Sequence, residues 1–536
     1  MAKKIKYSGA ACAFTAKPSI NAGQNDLAAE PGGLAAAVRG IYQSDRKLQL
    51  VLLVFMLIWY GVLLSISWRL LLWGNPLNLT FNSMFDHLMH GRFDVDPQIV
   101  GREGFVRGGR VYAYWGIWCS LVRLPLWVFH RMSADVTVWS CLAAVCVAGM
   151  AKVRAVLLIR RHSAQNPVAG VAIGLMLAYI LLGGSETAYL YVSIFQEVVF
   201  WAAAFSALFV YFAVKGIVSR SFDDKTLCWM ALCAGLALLT RVSTGIGLIL
   251  AMVLLLLVLA IQTCNAAAQE NRLVFWRFGQ ALIQQRTLIP LGILAAFIAV
   301  TGVVNYFRWG NPATFANYYI YLCNNCVGNW VPRLREYGTF NLARIPFGLQ
   351  YFFFPVGVLR GSDGHFLLES TRMRLFNTVE VTPASFFLTD LLPLCFIVFL
   401  GIAGWRRRSA SQTSVNRVVA IAVGLLAPCV LMVTASSLAY RYRMEFYPEI
   451  DFLALLGLYL TVSDDAMLAK FVRFRRWITA SLMLSIVSSF AALTLYNLGG
   501  TNSQDKDAAD GIVHYYRQEA AEKYQRLMTH YFASHR

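Results

Sequence analysis

The chain alternates long apolar runs with short polar segments. A helix needs about 20 apolar residues to cross a bilayer, and the first such run covers 49–73. The run at 226–262 is too long for one crossing and is interrupted at Arg241, so we predict two helices joined by a turn there. The pattern predicts eleven spans: 49–73, 134–157, 167–184, 198–214, two within 226–262, 288–306, 385–404, 415–434, 448–463 and 477–496.

The composition supports the same fold class. Of 536 residues, 58% are hydrophobic and only 14% are charged, which is typical of a polytopic membrane protein and unlike a soluble domain. The net charge of +19 comes from Lys and Arg residues that sit between the apolar runs, where the positive-inside rule places them. We therefore predict an all-α polytopic membrane protein and exclude nucleic acid as a partner.

The basic clusters also predict an orientation. With the clusters on the cytoplasmic side, an odd number of spans places the N-terminus inside and the C-terminus outside. Residues 1–48 are then a disordered cytoplasmic tail without a signal-peptide pattern, 49–497 form the membrane domain, and 498–536 form an external tail. The long external loops fall at 74–133 and 307–384, and the apolar segment 112–131 is predicted as a helix lying on the external interface.

The first external loop carries the first candidate site. Asp86 lies shortly after a span, where an aspartate can act as a general base towards an acceptor hydroxyl. The alternative is a solvated acid or a helix cap. Asp94 and Asp96 point to the same side of an extended segment and could share one divalent cation, although a turn acid and a surface acid are the simpler interpretation.

Arginines near later spans form a second group of candidates. Arg441 and Arg443 could bind a phosphate headgroup in a bidentate manner, or they could extend towards the interface and pair with nearby glutamates. Arg241 lies within an apolar hairpin, and a charge at such depth is usually functional or paired. Glu197 is a candidate partner for such an arginine, the simpler alternative being an acid at a helix N-terminus.

Several segments then occur in an order that resembles the C-type membrane glycosyltransferases (GT-C). One span is followed by a loop reading MFDHLMHGRFDVD and by the aromatic segment GRVYAYWGIWCSLVRLP. GLALLTRVSTGIGL, NYFRWGNP and RYRMEFYPEIDFLALLG come later in the chain. The resemblance extends over 49–463 and depends on the order of these segments, because none of them is specific alone.

The resemblance implies an inverting sugar transfer on the external, periplasmic face of a bacterial inner membrane. The donor would be a polyprenyl-phosphate-linked sugar and the acceptor a lipid, a glycan or a protein, with membrane lipids around the bundle. No cofactor is implied apart from a possible divalent cation. Asp86 would be the base and Arg441 and Arg443 the phosphate clamp. The other candidate substrate-binding residues are Asp94, Asp96, Arg110, Glu197 and Arg241.

Two other functions remain open. A lipid-linked saccharide transporter or flippase would need polar residues facing a central pathway in many spans. The chain shows no internal repeat, which disfavours a transporter built from inverted repeats. A non-catalytic subunit with a GT-C fold is the third possibility. Separately, Cys323 and Cys326 could form a local disulfide if their loop faces an oxidising compartment.

Overall fold

A computed structural model describes residues 45–70, 76–163, 166–268, 285–326, 330–355, 375–379, 384–406 and 412–499. The chain divides into two units, Met1–Leu48 and Gln49–Arg536. Nearly all of the first unit lies outside the described residues. The predicted tails at 1–48 and 498–536 also lie almost wholly outside the described residues and stay predictions.

Eleven long helices dominate the described part of the chain. We number them α1 to α11 in chain order. They are α1 Asp45–Leu70, α2 Thr137–His162, α3 Pro167–Leu182, α4 Ile194–Val218, α5 Asp224–Thr240, α6 Val242–Ala268, α7 Gln285–Trp309, α8 Leu391–Arg406, α9 Gln412–Thr434, α10 Tyr447–Ser463 and α11 Asp465–Gly499.

Each predicted span coincides with one of these helices, which confirms the all-α polytopic fold class. Within the described residues, nine helical segments are long and apolar enough to cross a membrane. The other two helices, α5 and α8, have 17 and 16 residues. Each has a polar contact next to one of its ends. Helix α5 stops at Arg241, where the predicted turn is confirmed, and α8 is preceded by the buried Asp390.

Short elements fill the segments between the long helices. The first loop contains an antiparallel hairpin of β1 Phe105–Arg107 and β2 Arg110–Tyr112. Gly108 and Gly109 connect the strands with φ values of 56° and 72°, the left-handed conformation that a tight hairpin turn requires. A second, parallel pair joins β3 Thr378–Val379 to β4 Ser437–Leu438.

The short helices lie mainly in the first loop and between α7 and α8. The α-helical ones are Thr80–Met89, Pro97–Val100, Trp118–Leu121, Leu124–Val128, Gly184–Ala188, Leu322–Cys326, Trp330–Tyr337, Ile345–Phe353 and Phe386–Thr389. The 3-10 turns are Pro76–Leu79, Gly101–Glu103, Tyr318–Ile320, Leu342–Arg344 and Tyr440–Phe446.

The prediction of one interfacial helix over 112–131 is wrong. Residues 113–117 are not helical, and only the short helices Trp118–Leu121 and Leu124–Val128 follow. The segment packs inside the protein, as the full burial of Arg123 and the 4% exposure of Trp115 show. The prediction that this segment does not cross the membrane agrees with the structure, since the described residues between α1 and α2 contain no long helix.

Close backbone packing joins the first loop to the helix bundle. Gly116 lies against the end of α5, where an added Cβ would be 2.0 Å from the carbonyl oxygen of Leu239. Only glycine permits such an approach. Within the bundle, α4 packs along α2 and α5, α6 along α9, and α8 along α10. Apolar side chains on α1, α7 and α11 remain exposed, such as Ile58, Val303 and Val487.

Candidate functional site

The turn between α5 and α6 positions Arg241. This residue has extended backbone angles and separates the two helices. Its Nε atom donates to Oε1 of Glu445. The hydroxyl of Ser243 donates to the same oxygen at 2.6 Å and that of Thr244 to Oε2 at 2.6 Å. Glu445 is 1% exposed, so its carboxylate is fully engaged and orients the guanidinium group of Arg241.

A second arginine lies close to Arg241. The guanidinium carbon of Arg441 is 4.4 Å from the ring centroid of Phe195 and 5.5 Å from that of Tyr442. The guanidinium carbon of Arg241 is 5.4 Å from the same Tyr442 ring. Two cations therefore share one aromatic ring, at the start of α4 and just before α10.

Two further tyrosines complete this group. Tyr114 of the first loop interacts electrostatically with Arg441, and Tyr318, which follows α7, interacts with both arginines. Burial, followed by the neighbouring phenols, raises the pKa of Tyr114 and Tyr318. Their hydroxyls therefore stay protonated and can donate hydrogen bonds. We call Tyr114, Arg241, Tyr318, Arg441 and Tyr442 the arginine–tyrosine cluster.

The arrangement is suited to binding a ligand in which an anionic group is attached to a ring. Two guanidinium groups supply planar sets of donors that match phosphate geometry. The phenol rings supply apolar faces and hydroxyl donors. The cluster brings together the first loop, the Arg241 turn and the segment before α10, which are far apart in the sequence.

Asp86 lies outside this cluster. It occupies the helix Thr80–Met89 and is half-buried. Its carbonyl oxygen is 2.7 Å from Nδ1 of His90, and its charge acts on Arg92. Among the described residues, no interaction of Asp86 reaches the cluster, and its role as the base stays a prediction.

Asp94 is engaged by an arginine two residues away. Arg92 donates through Nε and Nη2 to its two carboxylate oxygens at 3.1 and 2.5 Å. Burial opposes the charge on Asp94, but the hydrogen bond from Arg92 and the neighbouring charges outweigh it and lower the pKa of Asp94.

Asp96 has a different local role. Its Oδ1 accepts from the backbone amide of Gln98 at 2.8 Å and caps the helix Pro97–Val100. Its own amide donates to Ser83. Within the described residues, no three His, Cys, Asp or Glu side chains are grouped so as to hold a metal ion. A cation shared by Asp94 and Asp96 stays a prediction that this arrangement does not favour.

Glu197 pairs with an arginine, but not with Arg241 as the sequence suggested. Both of its oxygens accept from Arg123, with Nη2 at 2.8 Å from Oε2. Arg123 also donates to Asn82 and to the carbonyl of Cys119. Both charged residues are fully buried. This ion pair holds the first loop against the start of α4. A substrate cannot reach Glu197 while the pair is intact.

Arg443 does not form one clamp with Arg441. Residues 440–446 form a 3-10 turn, in which side chains two positions apart point in different directions. Arg443 is fully buried, 4.3 Å from the ring centroid of Phe386. Its Nη2 lies 3.5 Å from Oδ2 of Asp390 and donates to Thr389. Glu445, one of the nearby glutamates offered as an alternative partner for these arginines, pairs with Arg241.

The remaining predicted residues have fewer contacts. Arg110 begins β2 and is exposed. The Cys326 side chain lies outside the described residues, so the disulfide with Cys323 stays a prediction. Sequence reasoning missed Tyr114, Tyr318, Tyr442 and Glu103. Tyr114 and Tyr442 lie in the segments GRVYAYWGIWCSLVRLP and RYRMEFYPEIDFLALLG, whose aromatic content is the signal that could have identified them.

The charged network inside the bundle was also missed. Nζ of Lys152 on α2 lies 2.6 Å from Oε1 of Glu186 and 2.9 Å from Oδ2 of Asp451. Ser185 accepts a third hydrogen bond from this ammonium group. The only sequence signal for this network is a charge inside an otherwise apolar span.

Comparisons with known proteins give structural neighbours only. No family model and no curated protein matches the chain. Two similar solved structures are of the Archaeoglobus fulgidus oligosaccharyltransferase. One is tethered with an acceptor peptide containing the NVT sequon (13% identity, 88% of this chain, 59% of that chain, TM-score 0.42). The other, named AglB, is in complex with an inhibitory peptide and a dolichol-phosphate (13%, 90%, 60%, 0.42). The chain thus spans about three fifths of the length of these neighbours.

Proposed function

We propose that this protein is a GT-C-type membrane glycosyltransferase that transfers a sugar from a polyprenyl-phosphate donor to a lipid, glycan or protein acceptor. The single observation that carries the proposal is the position of Arg241 and Arg441 against the same ring of Tyr442. A phosphate at the end of a helix bundle, with its lipid tail between helices, is the ligand that this pair of cations fits.

The chemistry places specific demands on the site. The acceptor oxygen attacks the anomeric carbon while the bond to the phosphate oxygen breaks, which inverts the configuration. Negative charge then grows on the departing polyprenyl phosphate. Donors fixed in advance at that position stabilise the transition state more than the ground state. Glu445 fixes Arg241 in this manner, and the rings of Phe195 and Tyr442 restrict Arg441.

The proposed side of the reaction is external. Phe195, whose ring lies against Arg441 of the cluster, is in the first turn of α4, and Lys215 is in its last turn. At 1.5 Å per residue, a 25-residue helix is about 37 Å long, which is enough to cross a bilayer and supports our proposal that the cluster and this basic end are on opposite sides. The positive-inside rule then puts the cluster outside the plasma membrane, with the N-terminus in the cytoplasm.

The test uses right-side-out and inverted membrane vesicles with labelled polyprenyl-phosphate sugars. We expect wild-type transfer to acceptor supplied outside right-side-out vesicles, and much less in inverted ones. Arg441→Gln removes a phosphate ligand and should lower the transfer rate about 100-fold or more. Arg335→Gln is the matched control, because Arg335 is exposed on the helix Trp330–Tyr337. Undiminished transfer by Arg441→Gln would contradict the proposed role of the cluster.

A second candidate function is favoured by the charges inside the bundle. Lys152, Glu186 and Asp451 come together on α2, the helix Gly184–Ala188 and α10, and buried charges of this kind often mark a transport pathway. The same vesicles decide between the two. Movement of the labelled lipid-linked saccharide across the bilayer without sugar transfer would establish the transporter instead.

A further inference from the structure

Most carboxylates around the first loop and the cluster are already engaged by other groups. A general base needs a carboxylate oxygen that can approach the acceptor hydroxyl, and an ion-paired or capping acid cannot offer one without breaking a contact. The engaged acids are Asp94 with Arg92, Asp96 with the amide of Gln98, Asp135 with Asn78 and the amide of Thr137, Glu197 with Arg123, and Glu445 with Arg241, Ser243 and Thr244.

Within the described residues of the first loop and of the loop between α7 and α8, three acids remain available: Asp86, Glu103 and Glu336. None of them forms an ion pair among the described residues. Glu336 is exposed on the helix Trp330–Tyr337. The interactions of Asp86 are with His90 and Arg92, neither of which belongs to the cluster. Only Glu103 has neighbours that belong to the arginine–tyrosine cluster.

Glu103 is tied to the cluster by a chain of aromatic contacts. The hydroxyl of Tyr321 donates to Oε2 of Glu103 at 2.5 Å. The Tyr321 ring stacks on Phe105, with centroids 4.7 Å apart. The Phe105 ring in turn lies 5.7 Å from that of Tyr114 and 5.9 Å from that of Tyr318. The charge of Glu103 also contributes to the raised pKa of these two cluster tyrosines.

The backbone holds Glu103 in this position. The carbonyl of Gly104 accepts from the amide of Leu322 at 3.0 Å, and Phe105 forms an antiparallel bridge with Tyr321. Burial, and then the charge of Glu103, raise the pKa of Tyr321, so its phenol stays protonated and keeps donating. Among the described residues, only Tyr321 donates to this carboxylate, which leaves Oε1 available.

We infer that Glu103 is the base that accepts the proton of the acceptor hydroxyl, an inference that rests on the proposed function. The acceptor oxygen forms its bond to the anomeric carbon, and its proton passes to Oε1 of Glu103. The bond between that carbon and the phosphate oxygen breaks, and its electron pair leaves with the polyprenyl phosphate beside Arg241 and Arg441. Tyr321 is a positioning residue, because it acts through Glu103.

The test compares Glu103→Gln, Asp86→Asn and the exposed control Glu336→Gln in the vesicle assay. Loss of a general base lowers the rate about 10²- to 10⁴-fold. We expect that loss in kcat for Glu103→Gln, a smaller loss for Asp86→Asn and wild-type transfer for Glu336→Gln. Binding of polyprenyl phosphate alone should be unchanged in Glu103→Gln, which shows that the variant is folded.

Tyr321→Phe tests whether Tyr321 positions Glu103 for the reaction or only supports the fold. Removing this hydrogen bond leaves the carboxylate of Glu103 without its positioning donor, so kcat should fall while the KM for the donor and the binding of polyprenyl phosphate stay at their wild-type values. Transfer by Glu103→Gln at the wild-type rate would overturn this inference alone. A wild-type protein inactive with every donor would overturn the proposed function and this inference together.

Discussion

At the scale of single residues, the partner of a side chain decides its role more than its place in the sequence. Asp94 and Asp96 are two positions apart, yet one is bound by Arg92 and the other caps a helix. Arg441 and Arg443 are also two apart, yet only Arg441 lies against Tyr442. Spacing alone therefore identifies a group of candidates without separating their chemical roles.

The ion pair of Asp94 should contribute to stability in a pH-dependent way. Its pKa is lower in the folded protein than the unfolded value of about 3.9. The contribution is therefore complete above about pH 5 and is lost as the pH falls through the folded pKa. Thermal unfolding in detergent from pH 6 to 3 should show a smaller acid-dependent decrease in Asp94→Asn than in wild type. Identical decreases would contradict this.

At the scale of elements, the first loop is organised by two attachments to the helix bundle. The buried pair of Arg123 and Glu197 joins it to α4, and Gly116 brings its backbone against the end of α5. Together they place Tyr114 beside the arginines. The loop is therefore a packed part of the protein and not a solvated connection, which explains why 112–131 does not form an interfacial helix.

Gly116→Ala tests this attachment. The new methyl group would meet the backbone of Leu239 and not a flexible side chain, so the loop must shift. Overpacking of this kind costs about 1–3 kcal/mol, and sugar transfer should fall as Tyr114 moves. Gly170→Ala on α3 is the control, because no atom beyond the neighbouring backbone of its own helix lies within 4 Å of its added Cβ. Equal melting temperatures for both variants would contradict the described contact.

At the scale of the whole molecule, buried charges connect the bundle where lipid-facing helices alone would not. Lys152 bridges two carboxylates from the helix Gly184–Ala188 and α10. Asp390, just before α8, accepts from Tyr179 of α3 and Tyr447 of α10 at 2.5 and 3.1 Å. Such contacts specify which helices meet, since apolar surfaces are nearly interchangeable in lipid.

Lys152→Met should therefore destabilise the bundle strongly. The substitution leaves Glu186 and Asp451 buried without their cation. Removal of one partner of a buried ion pair lowers the free energy of unfolding by about 3–5 kcal/mol. The triple variant Lys152→Met, Glu186→Gln, Asp451→Asn removes the charges together and should recover much of that stability. Unfolding in detergent measures both. A triple variant no more stable than the single one would show that the charges are not the cause.

Sequence alone determined the fold class and the place of each long helix in the described part of the chain. Those features depend on local hydrophobicity and on charge between apolar runs, and both are visible in a window of about 20 residues. It also directed attention to the first loop, to Arg241 and to Arg441. Only the tertiary structure decided the partners: Glu197 with Arg123, Glu445 with Arg241, and Glu103 with Tyr321. Each pair joins residues far apart in the chain, and no local pattern records which distant side chain packing will bring near.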